Sequence, residues 1–546
     1  MSATQVGIDA NAVPAGRPAV AASCSTAAPH RADPASERID FAELDSRQTG
    51  ILLASILVVA LCGIAYELII STVSSYLLGN SVYQFSLTIG VFMFAMGVGS
   101  LLSRFLDGKL VHNFIVVEMA ISLVGGVCSI LLFVVFPNSR ALYEFVMYAL
   151  ILTIGALVGM EIPILTTMLS HKASIRKSIA HVMSLDYVGA LIGAVAFPLL
   201  LLPTLGLVSA SFAVGLLNIV TAVFNVMVFR RQLRHFKALL AACLLILGGL
   251  VAFLFYGAQV TRYAEKHLYF DQVIYDRQTP YQKLVVTRSS VNREHRLYID
   301  GHIQFSTRDE FRYHESLVHP AMAVPGPRDR VLILGGGDGL AAREVLKYPD
   351  VGSIDLVDID AEMTRIAREL PILATLNAGS LDSPRLAIHN DDAFSFVNAP
   401  GKPYDRVIVD MPDPHNEALN KLYSREFYLM IKRRMAPGAV MVTQSSSPFF
   451  TRRTFWCIQE TLESTFEHTL SYHTSLPSFG IWGFNMARNG QALPARIAID
   501  APTRSLTTDA LAAARIFTKD MAKIESPVNS IMVPKLYQLY VEDLAM

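Results

Sequence analysis

RVLILGGGDGLAAREVLKYPDVGSIDLVDID, residues 330–360, holds two short apolar runs separated by three glycines, an aspartate and a helix-like segment. This order predicts a strand, a Gly-rich turn, a helix and a second strand, the first half of a doubly wound nucleotide-binding sheet. Glycine adopts backbone conformations that other residues avoid, so such a turn brings the main chain close to a ligand. Asp358 ends the second run about 20 residues on, where these sheets place an acid against a ribose diol. A plain Gly-rich turn between two strands would explain the glycines but not that acid.

The alternation continues downstream. Residues 385–389 read as a third strand, followed by Asn390-Asp391-Asp392-Ala393. Residues 406–409 read as a fourth, ending in Asp410-Met411-Pro412-Asp413-Pro414, with helices over 427–435 and 453–465 and a fifth strand over 439–444. Strands alternating with helices predict a parallel sheet, whose ligands sit at its carboxyl edge. Asp338, Asp358, Asp392 and Asp410 all fall at that edge. Upstream, residues 267–306 alternate apolar and polar positions, with Asp300-Gly301 as a hairpin turn, and predict a small β-domain of four to six strands. The next segment, TRDEFRYHESLVHPAM, predicts a helix capped by Thr307 with Glu310 in a capping box, carrying Tyr313 and His314 towards the Gly-rich loop.

The N-terminal half has a different character. The chain has 546 residues, 17% of them charged, and a mean hydropathy of +0.40, with the apolar excess concentrated between residues 51 and 256. Residues 1–48, rich in Ala, Pro, Ser and Thr, read as a disordered tail without a signal-peptide pattern. Seven apolar segments follow, at 51–71, 82–102, 114–136, 141–165, 188–205, 208–229 and 238–256. Each is close to the roughly 20 residues needed to cross a bilayer. Gly189 and Gly193, like Ala95 and Gly99, have the small-residue spacing of closely packed membrane helices. Lysines and arginines gather in the second, fourth and sixth connections, which the positive-inside rule puts in the cytoplasm. Seven spans then carry everything after Tyr256 to the other side. Glu67, Glu118, Glu144, Glu161 and Asp186 lie within these segments. They read either as interfacial or hydrogen-bonded acids, or as a cation-binding vestibule inside the bundle. The five cysteines form no CxxC pair and indicate neither a disulfide framework nor a zinc site. Formal net charge is zero and gives no pointer to nucleic acid.

The acids constrain the chemistry. An aspartate inside the Gly-rich loop would repel a phosphate, so Asp338 excludes a P-loop and argues against a dinucleotide pyrophosphate. It suits a positively charged adenosine derivative, such as S-adenosylmethionine or its decarboxylated form. Asp358 then suits the ribose and Asp392 the adenine amino group. Asp410 and Asp413, spaced D-x-x-D-P at a strand end, would hold or deprotonate a second cation.

The blocks DGHIQFSTRDEFRYHE, VLILGGGDG, DLVDID, NDDAF and DMPDP, in this order, resemble the polyamine aminopropyltransferases, or spermidine synthases, over residues 268–486. The apolar half and the continuation DMPDPHNEALNKLYS are similar to the membrane-fused bacterial branch. The resemblance implies a multi-pass helical membrane domain (49–258) followed by a small β-domain (259–308) and a Rossmann-like, class I methyltransferase-like α/β domain (309–546). It implies aminopropyl transfer from decarboxylated S-adenosylmethionine to putrescine, giving spermidine and methylthioadenosine, with the donor as co-substrate and neither cofactor nor metal. Carried over by motif, Gln282 touches the thioether side of the donor, and His314 and Asp338 contact the aminopropyl or polyamine amines. Asp358 takes the ribose, Asp392 and Ala393 the adenine, and Asp410 is the proton acceptor. Asp413, Tyr313 and Gln444 line the acceptor channel. A homo-oligomer through the catalytic domain, a location in the cell (inner) membrane and no nucleic-acid partner complete the expectation.

The chain departs from the family pattern where Phe479 replaces a frequent tyrosine, and where His415-Asn416-Glu417 follows D-x-x-D-P in place of Gly-Pro. Both changes touch the acceptor side. An S-adenosylmethionine-dependent amine N-methyltransferase and a polyamine transporter or sensor are the alternative readings. The donor is made in the cytoplasm, which sets substrate supply against the charge rule on the side of the catalytic domain.

Overall fold

The computed structural model describes residues 45–545 except 79–80, 107, 137–138, 171–174 and 270. The tail read over 1–48 lies outside the described residues as far as position 44. Its last positions already belong to the helix Ser46–Leu78.

The apolar half is helical: Ser46–Leu78, Ser81–Leu102, Leu110–Val135, Arg140–Ser170, Ile175–Ala196, Leu202–Val228 and Phe236–Leu268. Among the described residues, six helical runs are long and apolar enough to cross a membrane, and the fifth is 54 residues long, Ile175–Val228. That run joins the segments read separately at 188–205 and 208–229. A straight helix of that length would extend about 80 Å, far beyond the ~30 Å hydrocarbon layer. It does not stay straight: a π-helical turn at Phe197–Leu201 precedes Gly206, whose φ of 72° and ψ of 175° break the α-helix. Glycine takes that conformation without the Cβ penalty. A Cβ on Gly189 would meet the Leu57 carbonyl oxygen at 2.2 Å, and one on Gly193 the Leu61 oxygen at 2.6 Å. The small-residue spacing therefore serves close packing on the first helix. Met93, Phe94, Phe145, Leu199 and Leu245 all point outward and are more than 60% exposed. The outer surface of these helices is apolar. The last helix continues to Leu268, so the domain boundary drawn at 258 falls inside it.

Four antiparallel strands follow in sequence order: β1 Gln272–Gln278, β2 Lys283–Arg288, β3 His295–Ile299 and β4 His302–Ser306. Asp300 and Gly301 join β3 to β4 with φ of 49° and 81°, the pair of positive angles that a two-residue I′ hairpin turn requires. The larger sheet contains β5 Arg330–Gly335, β6 Ser353–Val357, β7 Leu386–His389, β8 Tyr404–Asp410, β9 Met435–Gln444, β10 His468–Leu476 and β11 Gly480–Arg488. Its order is β10-β11-β9-β8-β5-β6-β7. β7, β6, β5, β8 and β9 are mutually parallel. β11 joins β9 antiparallel and β10 joins β11 the same way, a hairpin the strand–helix alternation does not foreshadow. Val331 and Ile333 enter one core and Leu332 and Leu334 the other, the two-sided burial typical of central parallel strands. Chain order reverses at β5, between β6 and β8, and this is where doubly wound sheets open a crevice.

The expected capping box is absent. The helix starts at Glu310 with Asp309 at its N-cap and no side-chain cap. The Thr307 hydroxyl instead accepts from the His295 amide at 3.0 Å, which frees the Glu310 carboxylate for other partners.

Candidate active site

The crevice at the β5/β8 switch is a cavity of about 540 Å³. Gln282, Tyr313, His314, Asp338, Asp358, Asp392, Ala393, Asp410, Asp413 and Gln444 all line it. Gly335 and Asp410 are register partners at the ends of β5 and β8, so the start of the Gly-rich loop and the D-x-x-D-P acid share one strand edge. A Cβ on Gly335, at φ 81°, would lie 2.0 Å from the Asp410 carbonyl oxygen, and one on Gly337 would lie 2.5 Å from Asp358 Oδ2. The glycines are therefore required by these two aspartates.

Asp338, Asp358 and Asp392 are positioned by backbone donors. Asp358 accepts from the Gly337 amide through Oδ2 and from the Asp360 amide through Oδ1, both at 2.9 Å. Asp338 Oδ1 accepts from the Leu340 amide at 2.9 Å. Asp392 caps the helix Ala393–Asn398 and pairs with Lys421 at 3.2 Å. Gln282 donates to Asp360 Oδ2 at 2.9 Å, as does the Thr279 hydroxyl; these bonds tie the small sheet to the large one beside the cavity.

The group around Asp410 and Asp413 is denser. The Tyr313 hydroxyl donates to Asp410 Oδ1 at 2.8 Å. Asp413 accepts from Ser446 and Tyr540 hydroxyls at 3.3 Å each and from Gln444 Nε2 at 3.4 Å. Gln444 is fully committed. Its amide donates to the Met411 carbonyl at 2.7 Å and to Tyr423, and its oxygen accepts from the Ser446 amide and the Trp482 indole. It buttresses the loop that carries Asp413. Phe479 lines the same cavity and meets Trp482 edge-on at 5.0 Å.

Burial pushes Asp413 up to about 7 and Asp358 to about 6. Asp410 is likewise raised by burial to about 6, with the nearby His314 cation opposing that rise and Asp338 adding to it. Burial also raises Asp338, against the pull of His314. His314 behaves differently. Burial alone would lower it, but its Nδ1 lies 3.0 Å from Glu310 Oε2, and Asp338 and Asp410 add to the field, so it rises to about 9. Glu310 is itself held by both terminal nitrogens of Arg343 at 3.0 and 2.9 Å. At neutral pH His314 is therefore an imidazolium set among carboxylates.

Three lining residues, Tyr540, Trp482 and His302, have no role in the motif-based reading. Tyr540 arrives from the helix Leu536–Ala545, outside the motif blocks. Trp482 comes from β11. His302 and His415 stack at 4.4 Å, and both ring nitrogens of His415 are buried without a partner among the described residues. Burial lowers both imidazoles, His415 to about 3. The departure at His415 was visible in the sequence; its stacking partner, over a hundred residues away, was not. The described residues contain no cluster of three His, Cys, Asp or Glu suited to a metal ion.

The Spermine/spermidine synthase domain family matches residues 310–495. The polyamine aminopropyltransferase of Leptospira interrogans serogroup Icterohaemorrhagiae serovar copenhageni is 41% identical over 492 residues, covering 90% of this chain and 97% of that protein. Polyamine aminopropyltransferase 1 of Streptomyces coelicolor is 43% identical over 503 residues, covering 90% and 94%. A crystal structure of spermidine synthase in complex with the transition state analogue AdoDATO aligns with a TM-score of 0.41 at 24% identity, over 46% of this chain and 88% of that one. The matches to full-length relatives are too long to be confined to the catalytic half, so the similarity extends into the apolar helices. With identity above 40% sustained along 90% of its length, the chain belongs to the polyamine aminopropyltransferase family.

Proposed function

We propose that this protein transfers the aminopropyl group of decarboxylated S-adenosylmethionine to putrescine, releasing spermidine and methylthioadenosine. The observation that carries this reading is the convergence of Asp338, Asp358, Asp410 and Asp413 on one cavity at the switch point. An acid-lined cavity suits a sulfonium donor and a diammonium acceptor and disfavours phosphate.

The acceptor amine attacks the carbon next to the sulfonium, and the carbon–sulfur bond breaks with its electron pair leaving on the thioether. The amine must be uncharged to attack. With a pKa near that of lysine, about 10.4, roughly one molecule in a thousand is free base at neutral pH. Asp410, largely ionised above about pH 6 and oriented by Tyr313, takes the proton as the bond forms. Such general-base assistance contributes typically ~10²–10⁴-fold. Asp413, held by Tyr540, Ser446 and Gln444, receives the distal ammonium and fixes the attack angle. Asp358 receives the ribose, Asp392 and Ala393 the adenine, and Gln282 the thioether side. An imidazolium repels an ammonium, so His314 balances Asp338 and Asp410 in the empty site and yields that role when a cation arrives. The reaction calls for no metal or resident cofactor, because the sulfonium is itself the activated leaving group.

The apolar helices anchor this enzyme in the cell membrane as a multi-pass protein, and the family's catalytic domain forms its oligomer contact. Titration calorimetry with the two donors tests the donor assignment against the methyltransferase alternative. The decarboxylated form should bind at least about tenfold more tightly, since intact S-adenosylmethionine brings a carboxylate towards Asp338. Equal or reversed affinities would overturn the reading.

A further inference from the structure

A second group of buried polar side chains lies in the apolar half, far from the switch-point cavity in sequence. Contacts along the first helix, Ser46–Leu78, set its height. Ser74 meets Met147 and Gly63 faces Val158, so the fourth helix runs antiparallel to the first, and Glu161 comes level with residue 60. Ser55 bonds Asn225, and the Cys62 thiol donates to the Val214 carbonyl, which brings Asn218 to the same height. Tyr66 packs on Gly125. Glu118 lies two turns before Gly125 and its carboxylate meets Asn225 at 3.3 Å, so it joins them. Counted from Ile51 at 1.5 Å per residue, this level is about 13 Å into a hydrocarbon layer of about 30 Å.

Glu118 and Asn218 are 0% exposed and Glu161 is 1% exposed. Both Glu161 oxygens and Asn218 Oδ1 lack a partner among the described residues, while the Asn218 amide nitrogen is held by the Glu118 carbonyl and the Ser122 hydroxyl at 3.0 Å each. Apart from Arg47, Arg140, Arg176 and Lys177 near their ends, the helices that supply these groups contain no lysine or arginine. Among the described residues, the helices that supply the carboxylates bring no lysine or arginine to their level. When Glu161 is ionised, its unfilled positions and that of Asn218 Oδ1 are acceptors, and a ligand that only donates complements them. Ionisable groups at this depth are costly to retain without a partner. The absence of a three-ligand metal cluster among the described residues favours a monovalent centre over a multivalent one.

We propose that Glu118, Glu161 and Asn218 form a membrane-level site for one monovalent cationic centre, either the ammonium end of a polyamine or an alkali ion. The alkali-ion arm is independent of the function proposed above; the polyamine arm rests on it.

The test uses the full chain in lipid nanodiscs. An Asp410→Asn/Asp413→Asn variant disables cation binding in the catalytic cavity, and labelled spermidine and labelled sodium are the probes. At least one probe should bind this variant saturably, and adding Glu161→Gln should weaken that binding by at least about tenfold. Which probe binds identifies the source of the cation. Glu161→Gln alone should keep aminopropyl transfer within about twofold of the parent, because the residue takes no part in the reaction. If Glu161→Gln does not fold, Glu118→Gln replaces it, with Glu161→Asp, which keeps the charge, expected to retain binding. Absence of saturable binding for both probes, or binding indifferent to the Glu161 and Glu118 substitutions, overturns the proposal. Loss of transfer in the parent chain would instead count against the catalytic reading, and the sodium measurement would still stand.

Discussion

Asp410 is placed by its strand end and aimed by one hydroxyl. Replacing it with asparagine keeps the shape and the Tyr313 contact while removing the base. Turnover should fall at least about 100-fold, with methylthioadenosine affinity in calorimetry unchanged; near-normal turnover would refute the assignment. His314 depends on a longer chain of contacts, from Arg343 to Glu310 to the imidazole. Glu310→Gln removes the carboxylate that raises His314, so its titration, followed by NMR, should move down from about 9 towards the ordinary value of about 6.5. At His415, the stacked neutral ring borders the acceptor loop. His415→Ala removes the ring stacked on His302 and should raise the acceptor KM several-fold, about 1 kcal/mol for a stacked aromatic pair, leaving the donor KM unchanged. The acids were legible in the sequence because a Gly-rich turn and successive strand ends fix where those side chains must lie. The i,i+4 pairing of Glu310 with His314 is a sequence-visible spacing, but the Arg343 that holds Glu310 and the Asp338 and Asp410 that add to the field come from other elements, and no spacing announces them.

At the scale of elements, periodicity found the parallel strands and their helices but missed the β10–β11 hairpin. HTLSYHTSL and GIWGFNMAR carry strand composition, yet they follow a helix at a point where the alternation had ended. The capping box failed for a related reason. Thr307 and Glu310 have the right spacing, but tertiary partners at His295 and Arg343 outcompete the local bonds. The 54-residue run shows the opposite case, where composition gave two segments and Gly206 supplies the break. The C-terminal helix Leu536–Ala545 contributes Tyr540 to Asp413 although it lies well beyond the recognisable motifs. Tyr540→Phe removes one of the donors holding Asp413. Steady-state kinetics should show a several-fold rise in the acceptor KM, about 1 kcal/mol for one hydrogen bond, with the donor KM fixed. A change confined to the donor would place this helix on the wrong side of the cavity.

For the whole molecule, the site's charges oppose stability in the absence of substrate. Asp358 and Asp413 have folded pKa values of about 6 and about 7, above the ~3.9 of an unfolded aspartate. The folded state thus binds more protons in that interval, and stability falls as pH rises through it. His314, at about 9 when folded, contributes stability that is full below about 6.5 and is lost as pH rises towards 9. Both effects have the same sign, while His302 and His415, lowered by burial, act oppositely below about 6.5, so the melting temperature of the ligand-free chain should decline from about pH 7 to about pH 8.5. Saturating spermidine should flatten that decline by supplying the missing cations. A profile that rises over this range would contradict the charge states assigned here. The central claim, that one acid-lined switch-point cavity performs aminopropyl transfer with Asp410 as its base, is tested most directly by product analysis. The full chain and its Asp410→Asn variant are incubated with decarboxylated S-adenosylmethionine and putrescine, and products are quantified by mass spectrometry. Equimolar spermidine and methylthioadenosine from the parent, at a rate at least about 100-fold lower in the variant, is the predicted result. Methylthioadenosine without spermidine, a methylated amine from the intact donor, or equal rates in the two proteins would contradict it.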